Sequence, residues 1–180
     1  MGTDMEIIVQ NINGNWQASY GEKAWPCTIG KNGTIAAHEK IEGDGKTPLG
    51  SWEILKVLYR ADRISLEERA TINKYLAIFP LCQRDGWCDE SEDPYYNQAV
   101  MIPYTSRFEY LWRDQENTYD LIVILKYNID PVISGRGSAI FMHVAKPGLT
   151  PTEGCVALER DNLLELLSLL QGSTQITIKG

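Results

Sequence analysis

Two side chains in this chain have the types and spacing to share a reaction: His143 and Cys155, twelve positions apart. A thiolate is the nucleophilic form of cysteine, and an ordinary thiol is mostly protonated at neutral pH. A neighbouring imidazole can take the thiol proton and later return it to a leaving group. Gly154 leaves out a side chain beside the sulfur, which is expected to let a bulky substrate approach, and peptide N–H groups at Gly154 and Cys155 are candidate donors to a developing oxyanion. The competing reading is structural, a small apolar cysteine and a core histidine satisfied by its neighbours. The pair alone does not choose between the two.

The flanking residues predict how the pair is positioned. Residues 137–158 read GSAIFMHVAKPGLTPTEGCVAL. An apolar run, Ala139 to Met142, leads into His143. A loop with Lys146, Pro147, Gly148 and Pro151 follows and returns through Thr152, Glu153 and Gly154 to Cys155. A second apolar run, Val156 to Leu158, leaves it. Short apolar runs bounded by Gly and Pro predict strands, so base and thiol are expected on two strands brought side by side.

This segment resembles the catalytic stretch of the YkuD-like L,D-transpeptidases, a His followed at a distance by Ser/Thr-x-Gly-Cys and an apolar residue. His143, Thr152, Gly154, Cys155 and Val156 match it. Glu153 stands where many members have a second His, and Ala157 where most have Arg. One branch of the family has Gly-Cys-Val-Ala-Leu, as here. Further stretches look like that branch: Asp44 to Gly50, Gly86 to Asp89, Tyr96-Asn97, Leu111 to Asp114, Tyr119-Asp120 and Gly135 to Phe141. The resemblance runs from about Gly30 to the C-terminus. It implies that the Asp44–Gly50 loop lies near the active site.

The whole chain sets bounds. A length of 180 residues suits one domain, 1–180, with a sizeable core. Hydrophobic content of 43% and charged content of 23% are those of a soluble globular protein. A net charge of −7 argues against a nucleic-acid partner, which favours a basic face. No apolar stretch reaches the roughly 18 residues that span a bilayer. The opening MGTDMEIIVQ shows no secretory signal, so the expected compartment is the periplasm or cell envelope if the chain is exported, and the cytoplasm otherwise. Cys27, Cys82, Cys88 and Cys155 form no CxxC pair, and with two histidines they make no zinc pattern. Cys82 and Cys88 are spaced to bridge in an oxidising compartment, with free thiols the favoured reading.

The remaining elements follow from local pattern. Asn13-Gly14 between short apolar runs predicts a hairpin. Lys23 to Gly30 predicts a strand with an edge or bulge at Pro26. Asp44 to Gly50 reads as a loop leading into a strand over 51–59. Ser65 and Glu68 form a capping box for a short helix. Gly86 to Asn97 reads as a long loop that either lines a cleft or covers the surface, and Phe108 to Arg113 as a helical turn. Leu121 to Leu125 is a buried strand. Asp161 or Asn162 caps a helix with a Leu stripe at 163, 166, 167 and 170, ended by Gly172, before a last strand over 174–178. His38 has no motif around it and reads as a surface histidine. The fold class is β-rich with a few helices, mixed sheets forming a sandwich-like core.

The resemblance implies an L,D-transpeptidase acting on peptidoglycan stem peptides through a Cys155 thioester, with His143 as base, no metal and no organic cofactor. Gly154 and Thr152 shape the oxyanion and substrate region. Arg136, in Gly135-Arg136-Gly137, or less favourably Arg113, is the candidate to hold the donor carboxylate in place of an Arg at 157. An L,D-carboxypeptidase or endopeptidase with the same pair is the alternative enzyme. A non-catalytic wall-binding module is the alternative from another class.

Overall fold

A computed structural model describes residues 5–172 and 174–180. The described residues form thirteen strands and two α-helices. The strands are β1 (Ile7–Ile12), β2 (Asn15–Tyr20), β3 (Lys23–Thr28), β4 (Thr34–Ala36), β5 (Thr47–Tyr59), β6 (Ile78–Pro80), β7 (Asp85–Cys88), β8 (Ala99–Met101), β9 (Phe108–Tyr110), β10 (Leu121–Leu125), β11 (Phe141–Val144), β12 (Val156–Leu158) and β13 (Gln175–Ile178). The helices are α1 (Leu66–Thr71) and α2 (Arg160–Leu169).

Two strands belong to both of the main sheets and turn the corner between them. β5 pairs with β13 through Gly50–Glu53 and then with β10 from Ile54 to Tyr59. β3 pairs with β2 through Lys23–Pro26 and with β12 at Cys27 and Thr28. One sheet therefore runs β3-β2-β1-β13-β5 and the other β5-β10-β11-β12-β3, closing a barrel-like sandwich. Pro26 lies where β3 has β2 alone as a neighbour, so its missing N–H breaks no second ladder. Between β1 and β2, Asn13 and Gly14 adopt φ of 53° and 88°, as a two-residue hairpin turn of matching twist requires.

The second sheet is buried on both faces, which is why Leu121 to Leu125 reads as an unbroken apolar run. Leu121, Val123 and Leu125 face the interior with Met142, Val144, Val156, Leu158 and the α2 leucines 163, 166 and 167. Ile122 and Ile124 face outward with Phe141, Cys155, Trp87, Leu111 and Tyr119. That outer face is covered by a small antiparallel sheet, β8-β7-β9.

The structure corrects several expectations. The stretch read as a loop over Asp44–Gly50 already enters β5 at Thr47, because β4 pairs with it in parallel, Ile35 opposite Pro48. The expected loop over Gly86–Asn97 begins as β7, the central strand of the small sheet. Phe108–Tyr110 is strand β9 and not a helical turn. Strands of three or four residues are too short to show a period, and here neighbouring strands decide the conformation. α2 starts at Arg160 after Glu159, with no side-chain cap from Asp161 or Asn162, and it ends at Leu169 with Leu170 as its C-cap, ahead of Gly172. The capping box of α1 is present in both directions, Glu68 N–H to Ser65 Oγ at 3.1 Å and Ser65 N–H to Glu68 Oε2 at 2.8 Å. All four cysteines are free thiols, with Cys82 exposed and Cys88 buried.

Candidate active site

β11 and β12 run parallel, with His143 opposite Ala157 and Met142 opposite Val156. Side chains two apart on a strand share a face, so Phe141, His143, Cys155 and Ala157 project to the same side. His143 and Cys155 are diagonal neighbours across the pair: two residues of rise and one strand spacing separate their backbones by roughly 8 Å. Both line one cleft of about 410 Å³ on the outer face of the second sheet.

The imidazole is buried, with 7% of its surface exposed. Its Nδ1 lies 2.8 Å from the Val144 carbonyl oxygen, which can only accept. The hydrogen is therefore on Nδ1, and Nε2 carries the lone pair of a base. The Tyr119 ring meets His143 edge-on, with centroids 5.3 Å apart. Burial lowers the His143 pKa to about 4, with the Arg113 charge acting in the same direction. The thiol donates to the Ala139 carbonyl at 3.1 Å and accepts the Phe141 N–H at 3.4 Å. Burial pushes Cys155 up to about 12. The resting pair is a neutral thiol and a neutral imidazole. Cys27 is pushed equally high by burial; what sets Cys155 apart is its place on the cleft.

The Gly-Cys turn is built by hydroxyls. Thr152 Oγ1 accepts the Gly154 N–H at 3.0 Å and donates to the Cys155 carbonyl at 2.6 Å. The Gly154 N–H is thus already engaged, whereas the Cys155 N–H donates to no other group among the described residues. Of the two expected oxyanion donors, only Cys155 N–H remains available. Gly154 has φ +147°, and a Cβ there would lie 2.9 Å from the Lys46 carbonyl and 3.3 Å from Ile140. Its missing side chain makes room for the backbone before β5. Thr47, fully buried, donates to the Gly154 carbonyl at 2.8 Å and accepts the Gly30 N–H at 2.9 Å.

The charged wall was less visible in sequence. Arg113 lies over the Tyr119 ring at 3.8 Å, donates to Tyr110 O at 3.0 Å and Glu109 Oε1 at 2.6 Å, and also binds Glu116. Burial raises the Tyr119 pKa well above the usual phenol value, so its hydroxyl donates to Glu109 Oε1 at 2.7 Å. Lys40, 2% exposed, is held by Asp44 Oδ1 at 2.6 Å and the Ile41 carbonyl at 2.9 Å. Arg113, Tyr119, Lys40, Thr118 and Lys146 line the cleft, and Arg136 does not. The Arg136 guanidinium is exposed and donates to the His38 carbonyl at 3.0 Å. His38 is exposed on a short turn. Among the described residues there is no cluster of three or more His, Cys, Asp or Glu able to hold a metal ion.

The family model of the L,D-transpeptidase catalytic domain, YkuD, matches residues 15–178, most of the chain. The chain belongs to the YkuD family. Six chains of solved structure match as well. L,D-transpeptidase 1 of Mycobacterium tuberculosis is similar at 11% identity over 99% of this chain and 60% of that one, with a TM-score of 0.44. An L,D-transpeptidase from Mycobacterium smegmatis is similar at 15% identity over 98% of this chain and 59% of that one, with a TM-score of 0.41. This YkuD chain therefore spans about 60% of the length of those two proteins. No curated protein matches it. Of the cleft residues outside the His–Cys segment, Arg113 and Tyr119 fall in stretches that already resemble the YkuD family, which was the available signal. Thr118 carried none.

Proposed function

We propose that this YkuD domain is an L,D-transpeptidase in which Cys155 and His143 act on peptidoglycan stem peptides. One observation carries the reading: a thiol and an imidazole with its Nε2 lone pair free line the same cleft from adjacent strands. Because both groups rest neutral, the thiol proton passes to His143 Nε2 as the sulfur attacks the carbonyl that follows the L-centre of the diamino acid. The carbonyl oxygen becomes an oxyanion, which the Cys155 N–H can receive. Collapse breaks the C–N bond, and His143 returns the proton to the departing D-residue's amine. A thioester on Cys155 remains. The side-chain amine of a second stem then gives up a proton to His143 and attacks the thioester; the amide cross-link forms and the thiol is restored. No step draws on a cofactor. Stem peptides place this chemistry in the cell envelope, and among the described residues no helix is long and apolar enough to cross a membrane.

The test is product analysis with a purified tetrapeptide stem, with and without an amine-bearing acceptor stem. The expected result is a Cys155 adduct in the intact mass, release of the D-residue, and a cross-linked dimer when acceptor is present. Tripeptide alone, at the same rate with and without acceptor, would replace transfer with hydrolysis. No adduct on Cys155 would overturn the enzyme reading.

A further inference from the structure

Thr118 is 4% exposed, and its hydroxyl has no hydrogen-bond partner among the described residues. A buried hydroxyl without a partner is destabilising. The residue is held in place, since its carbonyl accepts the Val144 N–H at 3.1 Å, next to the imidazole. It lines the cleft together with His143. Lys146, two positions beyond Val144, lines the same cleft and is more than half exposed. Its ammonium makes no hydrogen bond among the described residues; Glu116 Oε2 approaches it at 3.5 Å. Arg113, by contrast, has all three nitrogens engaged by Tyr110, Glu116 and Glu109. A hydroxyl that meets no hydrogen-bond partner among the described residues and an ammonium paired only with Glu116 at 3.5 Å thus flank the base, with the Glu116 carboxylate beside both.

We infer that Thr118 and Lys146 form a carboxylate subsite that holds the C-terminal carboxylate of the departing residue. The assignment to that residue rests on the proposed function. His143 has to reach the leaving amine nitrogen, and the carboxylate carbon of the same residue is two bonds away, about 2.5 Å. A carboxylate so placed falls among the groups beside the imidazole. It is acceptor-only and negatively charged, the complement of a hydroxyl and an ammonium donor.

Two pairs of probes test this. Iodoacetate and iodoacetamide differ in a carboxylate; in either case the Cys155 proton goes to His143, a C–S bond forms and iodide leaves. Peptide mapping reads the rate at Cys155. The iodoacetate-to-iodoacetamide ratio is expected to exceed that of a small neutral thiol. Thr118→Val and Lys146→Met should each lower it about three- to tenfold, and Thr118→Ser should restore it. The second pair is a tetrapeptide stem and its C-terminal amide. The same variants should slow thioester formation from the acid and leave the amide unchanged. Ratios untouched by the variants, with thioester still formed, would remove the subsite and keep the proposed function. An iodoacetate preference that the variants abolish, with no thioester from either stem, would keep the carboxylate subsite and remove the stem-peptide assignment. A Cys155 that reacts with none of the four would sink both.

Discussion

Thr47 donates its hydroxyl hydrogen to the carbonyl of Gly154, 2.8 Å away, although the two lie 107 positions apart in sequence. Through this bond the start of β5 fixes the peptide unit that precedes Cys155. Thr47→Val keeps the shape and strands two buried groups, the Gly154 carbonyl and the Gly30 N–H. The expected loss is about 1–3 kcal/mol of stability, read by denaturant unfolding, with a slower acylation of Cys155 in the protein that remains folded. Thr47→Ser should recover most of both. A valine variant with unchanged stability and rate would show that this bond positions nothing.

The buried imidazole predicts the shape of the acid limb. The folded-state pKa of His143, about 4, lies below the ordinary value of 6.5. Between those values the unfolded chain binds more protons than the folded one, so stability falls as pH falls. The contribution is present above about pH 6.5 and lost by about pH 4, and it amounts to roughly 3 kcal/mol. Comparing wild type with His143→Gln across that window isolates it. The variant should show the shallower slope, and parallel curves would contradict a buried neutral histidine.

Cys155→Ser and His143→Ala are each expected to abolish acyl-enzyme formation with the fold intact. Serine is far less acidic than cysteine, and losing general-base help is commonly a factor on the order of 10²–10⁴ in rate. Acting as a unit, the two should be non-additive, the double variant little worse than either single one. Single-turnover kinetics with circular dichroism as the folding control decides it. Turnover in either single variant at the wild-type rate would mean that another pair does the chemistry.

Legibility in the sequence followed the length of the signal. The His–loop–Gly-Cys pattern is local, and so are the hairpin at Asn13-Gly14, the capping box at Ser65 and the buried strand at Leu121; each was readable from its own residues. The three-residue strands β4, β8 and β9 were not, because pairing with distant segments, rather than any period, makes them strands. The same applies to the cleft wall. The pairing of β10 with β11 brings the Tyr119 ring against His143 and the Thr118 carbonyl to the Val144 N–H, with Arg113 on the same cleft, whereas Arg136, close to β11 in sequence, turns outward to His38. Gly154 shows the limit from the other side: in sequence it reads as room for a substrate beside the sulfur, whereas a Cβ there would meet the Lys46 carbonyl, more than a hundred positions away.

The parallel pairing of β11 with β12 has a consequence for how the cleft can be retuned. A parallel connection has to travel back along its strand, and here it does so as one wall of the cleft, through Lys146 and Thr150 to Glu153. Its ends are tied by main-chain bonds: Ala145 N–H to Leu158 O at 2.6 Å, Thr152 N–H to Ile29 O at 2.9 Å and Lys31 N–H to Thr152 O at 2.8 Å. His143 and Cys155 sit outside those ties. The segment 146–151 can therefore be exchanged as a cassette, changing the wall of the cleft while His143 and Cys155 keep their places.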